Sequence, residues 1–378
     1  MRAFVFTDKA LAKHAGQFVW LSIDTEKAKN AAFSKKYPIR AWPSLYVIDP
    51  ARERIALRWV GGATVPQLEK LFADGTKAVK GGGAASGSAT LLAKADALYG
   101  DGHYPEAGEA YKKTLETLSP KDPQYPRVVE SLLFCYQTTR DRSACAALAR
   151  SRLPSLQGTQ SGANLAASGL DCSLALPPTD SSRAESVAAF AKDVRAALAD
   201  PSLRLAEDDR SAYYSSLFDE REDAKDAEGA QHVADAWVAD LDAAAAHAQS
   251  PEQRTSLDPN RLNAFEAANR LRDAIRMLEQ SEKDFPKDYN PPARLALVYL
   301  KLQRYDDAMT AANRALERVY GPRRIRVLST IVDIQMGKGD RAGARKTLED
   351  AVTFADGLPE GQRNEEQVVS LRRKLDSL

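Results

Sequence analysis

The sequence predicts a multi-domain protein, a partial α/β segment followed by a long all-α array. Three observations predict it. A glycine-rich break, Lys80-Gly81-Gly82-Gly83-Ala84-Ala85-Ser86-Gly87-Ser88, divides the chain. Before the break, short apolar runs alternate with short helix-like stretches. After it, almost everything has helical periodicity, and Ala274, Ala308 and Ala344 recur 34 and 36 residues apart.

At 378 residues the chain exceeds one small core, so two or more domains are expected. The formal charge is +1, from 53 basic and 52 acidic side chains. Such a balance sets up no field that draws phosphate, which argues against nucleic acid or a membrane surface as partner. No apolar run is long enough to span a membrane. Met1 to Asp8 lacks the apolar core and small-residue site of an export signal, so the chain as written is expected in the cytoplasm.

The first segment parses into five pieces. Asp8 caps a short helix over Lys9–Ala15. Phe18–Ile23 is an apolar run of the kind that becomes a buried parallel strand. Asp24 or Thr25 opens a helix to about Lys36, which Pro38 stops. Ser44–Ile48 and Ile55–Val60 form a hairpin across Asp49–Glu53. Gly61-Gly62 ends the second strand, and Val65–Phe72 is a closing amphipathic helix.

This order resembles the later part of a thioredoxin domain, over about residues 1–75. Three motifs carry the resemblance: Phe18 to Asp24, a strand ending in an aspartate; Tyr37-Pro38-Ile39-Arg40-Ala41-Trp42-Pro43-Ser44, an approach to the family's cis-proline; and Gly61-Gly62-Ala63 before Val65-Pro66-Gln67-Leu68. The resemblance implies that Pro43 is cis and that the Trp42 backbone pairs with substrate chains, or else that Pro43 only shapes the strand entry. The family's first core strand and CxxC pair would precede Phe4 and are absent. Losing a central strand would expose two unpaired edges. The expectation is therefore an internal start, with CxxC and an export signal upstream and a periplasmic or envelope location. The competing expectation is a redox-dead domain kept for binding.

The expected division is a thioredoxin-like domain over 1–76, a flexible linker over 77–89 and a helical repeat domain over 90–378. The unit around Ala308 reads Leu295-Ala296, Tyr299, Tyr305-Asp306-Asp307-Ala308, Ala312, Ala315-Leu316. It resembles a tetratricopeptide repeat, two helices in about 34 residues with a small residue where they cross. Ala107, Ala144, Ala274, Ala308 and Ala344 are the expected crossing positions. Clear units span about 90–154 and 255–358. The middle, 155–254, is divergent, with helices near Ser182–Ala199, Glu207–Glu222 and Ala227–Gln249. Glu365–Leu378 is a capping helix. The resemblance implies a superhelix whose concave groove grips peptide or protein partners.

Candidate chemistry is sparse. Cys135, Cys145 and Cys172 lie in apolar helical contexts and read as buried thiols, with a Cys135–Cys145 disulfide as the alternative. His232 and Asp235, at i and i+3, read as a solvated helix face rather than metal ligands. His14 is expected to be exposed. Gly337-Lys338-Gly339 is an inter-helix turn, not a phosphate loop. No catalytic residue, metal site or cofactor is expected. Arg323, Arg324 and Arg326 form a basic cluster able to hold an acidic partner or a C-terminal carboxylate, or else a solvated helix start. The expected function is an interaction scaffold without redox activity, the alternative being a thiol–disulfide oxidoreductase whose cysteines lie upstream.

Overall fold

The computed structural model describes residues 5–39, 43–60, 63–80 and 88–378. Lys9–His14 is a 3-10 turn, capped as expected by the Asp8 carboxylate on the Ala10 N–H at 2.8 Å. Phe18–Ile23 corrects the expectation of a strand. It is neither strand nor helix, and Val19 and Leu21 are 87% and 69% exposed. An apolar run becomes a buried strand only where neighbouring strands complete its ladder. The next stretch is a 3-10 turn, Ala28–Asn30, and a short helix α1 (Ala31–Lys36), rather than one helix from Asp24.

Two strands follow, β1 (Ser44–Asp49) and β2 (Arg54–Val60), antiparallel as expected and alone in their sheet among the described residues. Their register carries a bulge. Val47 pairs with Leu57 but Ile48 with Ile55, so Ala56 is an extra residue in β2. Paired residues share a face, so Ile55 and Arg58 lie on one face and Leu57 on the other. Helix α2 (Val65–Lys80) covers the Leu57 face, where Gly75 lets Val47 come so close that an added Cβ would sit 2.6 Å from it. Helix α3 (Ser88–Gly100) meets the Ile55 face at Gly100. Helix α2 thus runs on to Lys80 and α3 begins at Ser88. Within the expected linker, 81–87 lie outside the described residues, as do Trp42, Gly61 and Gly62.

Helical hairpins then succeed one another. The first pairs α3 with α4 (Tyr104–Thr117). The second pairs α5 (Tyr125–Thr139) with α6 (Arg142–Arg152). The third pairs α7 (Gln160–Leu174) with α8 (Arg183–Ala199), and the fourth α9 (Glu207–Asp223) with α10 (Ala227–Ala246). A short helix α11 (Pro251–Ser256) leads into α12 (Asp258–Ala267) and α13 (Leu271–Asp284). Then come α14 (Asn290–Lys301) with α15 (Tyr305–Arg318), α16 (Arg323–Gly337) with α17 (Arg341–Asp356), and α18 (Glu365–Asp376), which packs on α17 through Val368 and Leu371. Side-chain caps open several of these helices, among them Asp141, Thr159, Asp340 and Asn364. The turn expected at Gly337-Lys338-Gly339 is present, with Gly339 at φ +77°.

Helix α7 was not anticipated. Gly169 lies at its closest approach to its neighbours, where an added Cβ would stand 2.7 Å from the Phe190 ring and 2.8 Å from Ala149. A helix built of glycine, alanine and serine shows little apolar periodicity, because small residues pack by closeness rather than by area.

By contacts the described chain divides into two compact units. Unit 1 takes in the residues up to Ala15 and Ile39–Ala244; unit 2 takes in Gly16–Pro38 and Ala245–Leu378. This division differs from one at 76 and 90. The hairpin and α2 pack with the first repeats, and Gly16–Pro38 packs with the last ones. In unit 1 the core runs continuously from Ala95 to Leu217, with Tyr111, Leu132, Leu165 and Leu170 essentially sealed from water.

Cys145 and Cys172 form a disulfide with Cα atoms 6.0 Å apart, and Cys135 is a buried free thiol. This corrects the reading of Cys145 and Cys172 as buried thiols, which holds for Cys135 alone, and the alternative of a Cys135–Cys145 disulfide. Cys135 faces Gly108 on α4, whereas Cys145 faces α7, with Sγ 3.9 Å from the Ser168 carbonyl. Neighbouring helices of consecutive hairpins, not the two helices of one hairpin, bring the sulfurs together.

Candidate functional site

The crossing positions fix which helix faces are left for a ligand. Ala107, Ala274, Ala308 and Ala344 are fully buried. Ala144 is only half-buried, and its neighbour Cys145, at 0% exposure, fills the equivalent fourth position of its helix. Ser186 and Ala230 hold that place in α8 and α10, both buried. Every crossing residue is thus small, since a longer side chain would force the helices apart. His232 and Asp235 are exposed on α10, and His14 packs edge-on to Phe72 with ring centroids 5.1 Å apart. Pro43 is exposed at the entry to β1.

In unit 2 a cavity of about 340 Å³ lies along α14 and α16, lined by Asn290, Arg294, Arg323, Arg326, Thr330 and Glu26. Asn290 and Arg294 are one helical turn apart, as are Arg326 and Thr330, so each pair shows one face. Of the predicted cluster, Arg323 donates from Nε to the Glu26 carboxylate at 2.7 Å. Arg326 lines the cavity with no hydrogen bond or ion pair from its guanidinium among the described residues. Arg324 corrects the expectation: it donates to the Leu316 carbonyl at 3.3 Å and lies over the Phe354 ring, away from the cavity. Arg294 was missed. Burial pushes its guanidinium below its ordinary pKa, and the nearby Asp258 and Asp288 charges oppose that shift. Burial, then the Glu26 charge, pushes the Tyr289 hydroxyl up to about 12.

Three consecutive residues of the early chain are held in unit 2. The Tyr320 hydroxyl donates to the Asp24 carboxylate at 2.6 Å, and the Gln362 amide to the Thr25 carbonyl at 2.8 Å. Arg323 holds Glu26. Gly321, at φ +58°, lies so close to the Glu26 carbonyl that a Cβ there would run into it.

In unit 1 a cavity of about 290 Å³ runs along α5, α7 and α9 and is bounded by β2. Glu130, Asp171 and Asp209 line it, one from each helix, together with Arg58 and Arg127. Arg127 is committed to Asp96, with bonds of 2.7 and 3.1 Å, and Asp96 also accepts from Tyr111 at 2.7 Å.

Residues 266–326 match the family model of the tetratricopeptide repeat. These residues are tetratricopeptide repeats. The match covers α13, α14 and α15, the helices around Ala274 and Ala308. No curated protein matches the chain. Among solved structures the chain is similar to a tetratricopeptide repeat protein from Parabacteroides merdae, at 11% identity and TM-score 0.46, over 77% of this chain and 99% of that one. It is also similar to the TPR2AB domain of yeast Sti1, determined in complex with pHSP90, at 15% identity and TM-score 0.29, over 76% and 98%. A thermophilic TPR protein of Thermus thermophilus is similar at 14% identity and TM-score 0.31, over 65% and 100%. No described helix is long and apolar enough to cross a membrane.

Proposed function

We propose that this chain is an interaction scaffold whose tetratricopeptide repeats hold an acidic, extended segment of a partner protein along Arg294, Arg323 and Arg326. One observation carries the reading: a carboxylate, Glu26, already sits in that cavity on Arg323, beside two arginines with no ion pair. Arg294 is half-buried and Arg326 exposed, and a guanidinium with no ion pair among the described residues favours a ligand that brings a carboxylate. The test is titration of a fluorescein-labelled acidic peptide. Arg294→Ala and Arg326→Ala should each weaken binding about tenfold, and salt should weaken it further. Equal binding of a basic peptide, or no effect of either substitution, would overturn the reading.

The order β1, β2, α2 favours a second reading, a thioredoxin-type module. Insulin reduction by the chain tests it, and lack of turnover removes it. The Cys145–Cys172 disulfide supports an oxidising compartment, since such bonds persist there and are reduced in most cytosols.

A further inference from the structure

Arg58 has no evident structural reason to be buried where it is. It is 6% exposed, yet its Nε and Nη2 have no hydrogen-bond partner among the described residues. Its guanidinium lies over the Tyr46 ring, 5.3 Å from Cζ to the ring centre, on the same face of the hairpin. A buried guanidinium without a counter-charge is costly. The other basic group on the same cavity, Arg127, is neutralised by Asp96; Arg58 has no such partner among the described residues.

The rest of the cavity has the opposite character. Glu130 accepts from the Asn164 amide at 3.3 Å, and Asp209 from the Gln160 amide at 3.1 Å. Asp171 is hydrogen-bonded to Ser216. None of the three forms an ion pair among the described residues. Burial raises all three carboxyls, Asp209 to about 6, and the Asp209 charge adds to the shift on Glu130. Arg58 instead acts on the aromatic end, on Tyr46 and Tyr99. One cavity therefore offers an unpaired cation beside aromatic rings and a row of carboxylates lacking a cation. Its volume, about 290 Å³, is at the small end for a ligand site and suits one or two residues.

We propose that this cavity binds a ligand carrying both a carboxylate and a cation: a C-terminal lysine or arginine residue, in a polypeptide or as the free amino acid. The carboxylate pairs with Arg58, and the basic side chain lies among Glu130, Asp171 and Asp209. The site is separate from the arginine-lined cavity of unit 2, and Arg294→Ala leaves it intact.

Calorimetry on the full chain tests this with five probes: L-lysine, L-arginine, a short glycine peptide ending in lysine, its C-terminal amide, and the same peptide ending in glutamate. The free-acid lysine peptide should bind, the amide about tenfold or more weakly, and the glutamate peptide not at all. Binding of the free amino acids alone identifies a small-molecule ligand; binding of the peptide identifies a polypeptide end. Arg58→Met should abolish the preference for acid over amide, Arg58→Lys should restore part of it, and Asp209→Asn should weaken both lysine peptides. Circular dichroism checks that each variant is folded; if Arg58→Met is not, the acid-to-amide comparison on the unaltered chain decides. Equal binding of acid and amide, or no binding of any probe, overturns the proposal.

Discussion

The two cavities use one architecture with opposite electrostatics. In unit 1 the first helices of three successive hairpins contribute Glu130, Asp171 and Asp209, and Arg58, which has no ion pair among the described residues, comes from outside the repeats. In unit 2 the first helices contribute Arg294, Arg323 and Arg326, and the carboxylate, Glu26, comes from outside the repeats. A repeat scaffold fixes where groove-facing side chains project and leaves their chemistry unconstrained, because the crossing residues that hold the hairpins together point elsewhere. The two cavities therefore differ in which charges stand without an ion pair among the described residues.

The largest expected effect bears on unit 1 alone. Its disulfide joins α6 to α7 across 27 residues of sequence, so reduction should cost about 3 kcal/mol by loop entropy. Hydrogen exchange in dithiothreitol should rise in α6 and α7 while α14 to α16 hold their protection. Uniform loss across both units would show that they are not separable.

A smaller effect depends on pH. The folded-state pKa of Asp209 is raised from 3.8 to about 6 by burial. Its contribution is most favourable below pH 4 and is lost as pH rises through 6, where the buried carboxylate must ionise. Asp209→Asn should therefore stabilise the chain by about 1–2 kcal/mol at pH 8 and by little at pH 4, as read by urea denaturation. A gain that is the same at both pH values would reject burial as the cause.

The smallest effect bears on unit 2. Gly321→Ala places a side chain at φ +58° and against the Glu26 carbonyl. It should cost about 1 kcal/mol and raise proteolysis around Asp24–Glu26, leaving unit 1 unchanged.

Much of the array was legible, and the failures have particular causes. Ala107, Ala274, Ala308 and Ala344 mark crossings because alanine is the commonest way to be small there. Cys145 and Ser186 satisfy the same steric limit with other residues, and Ala144, one position away, stood in for Cys145. Arg294 was recoverable. Counting back from Ala308 and Ala344 superposes Asn290 on Arg326 and Arg294 on Thr330, four residues that line one cavity. Arg58 was not recoverable, because it reads as an outward residue of an alternating strand until the bulge at Ala56 is known. Phe18–Ile23 misled because a continuous apolar run says nothing about what lies beside it.

The bulge in β2 makes the Arg58 site an address rather than only a composition. Inserting one residue between Val47 and Ile48, opposite Ala56, would close the bulge and leave every cavity residue in the gene, yet it would put Arg58 on the face opposite Ile55 and Leu57 on Ile55's own face. One codon outside the site thus governs whether it can exist. Comparing chains by their site residues alone would miss its gain or loss; strand phase, measured from Ile55, is the character to follow.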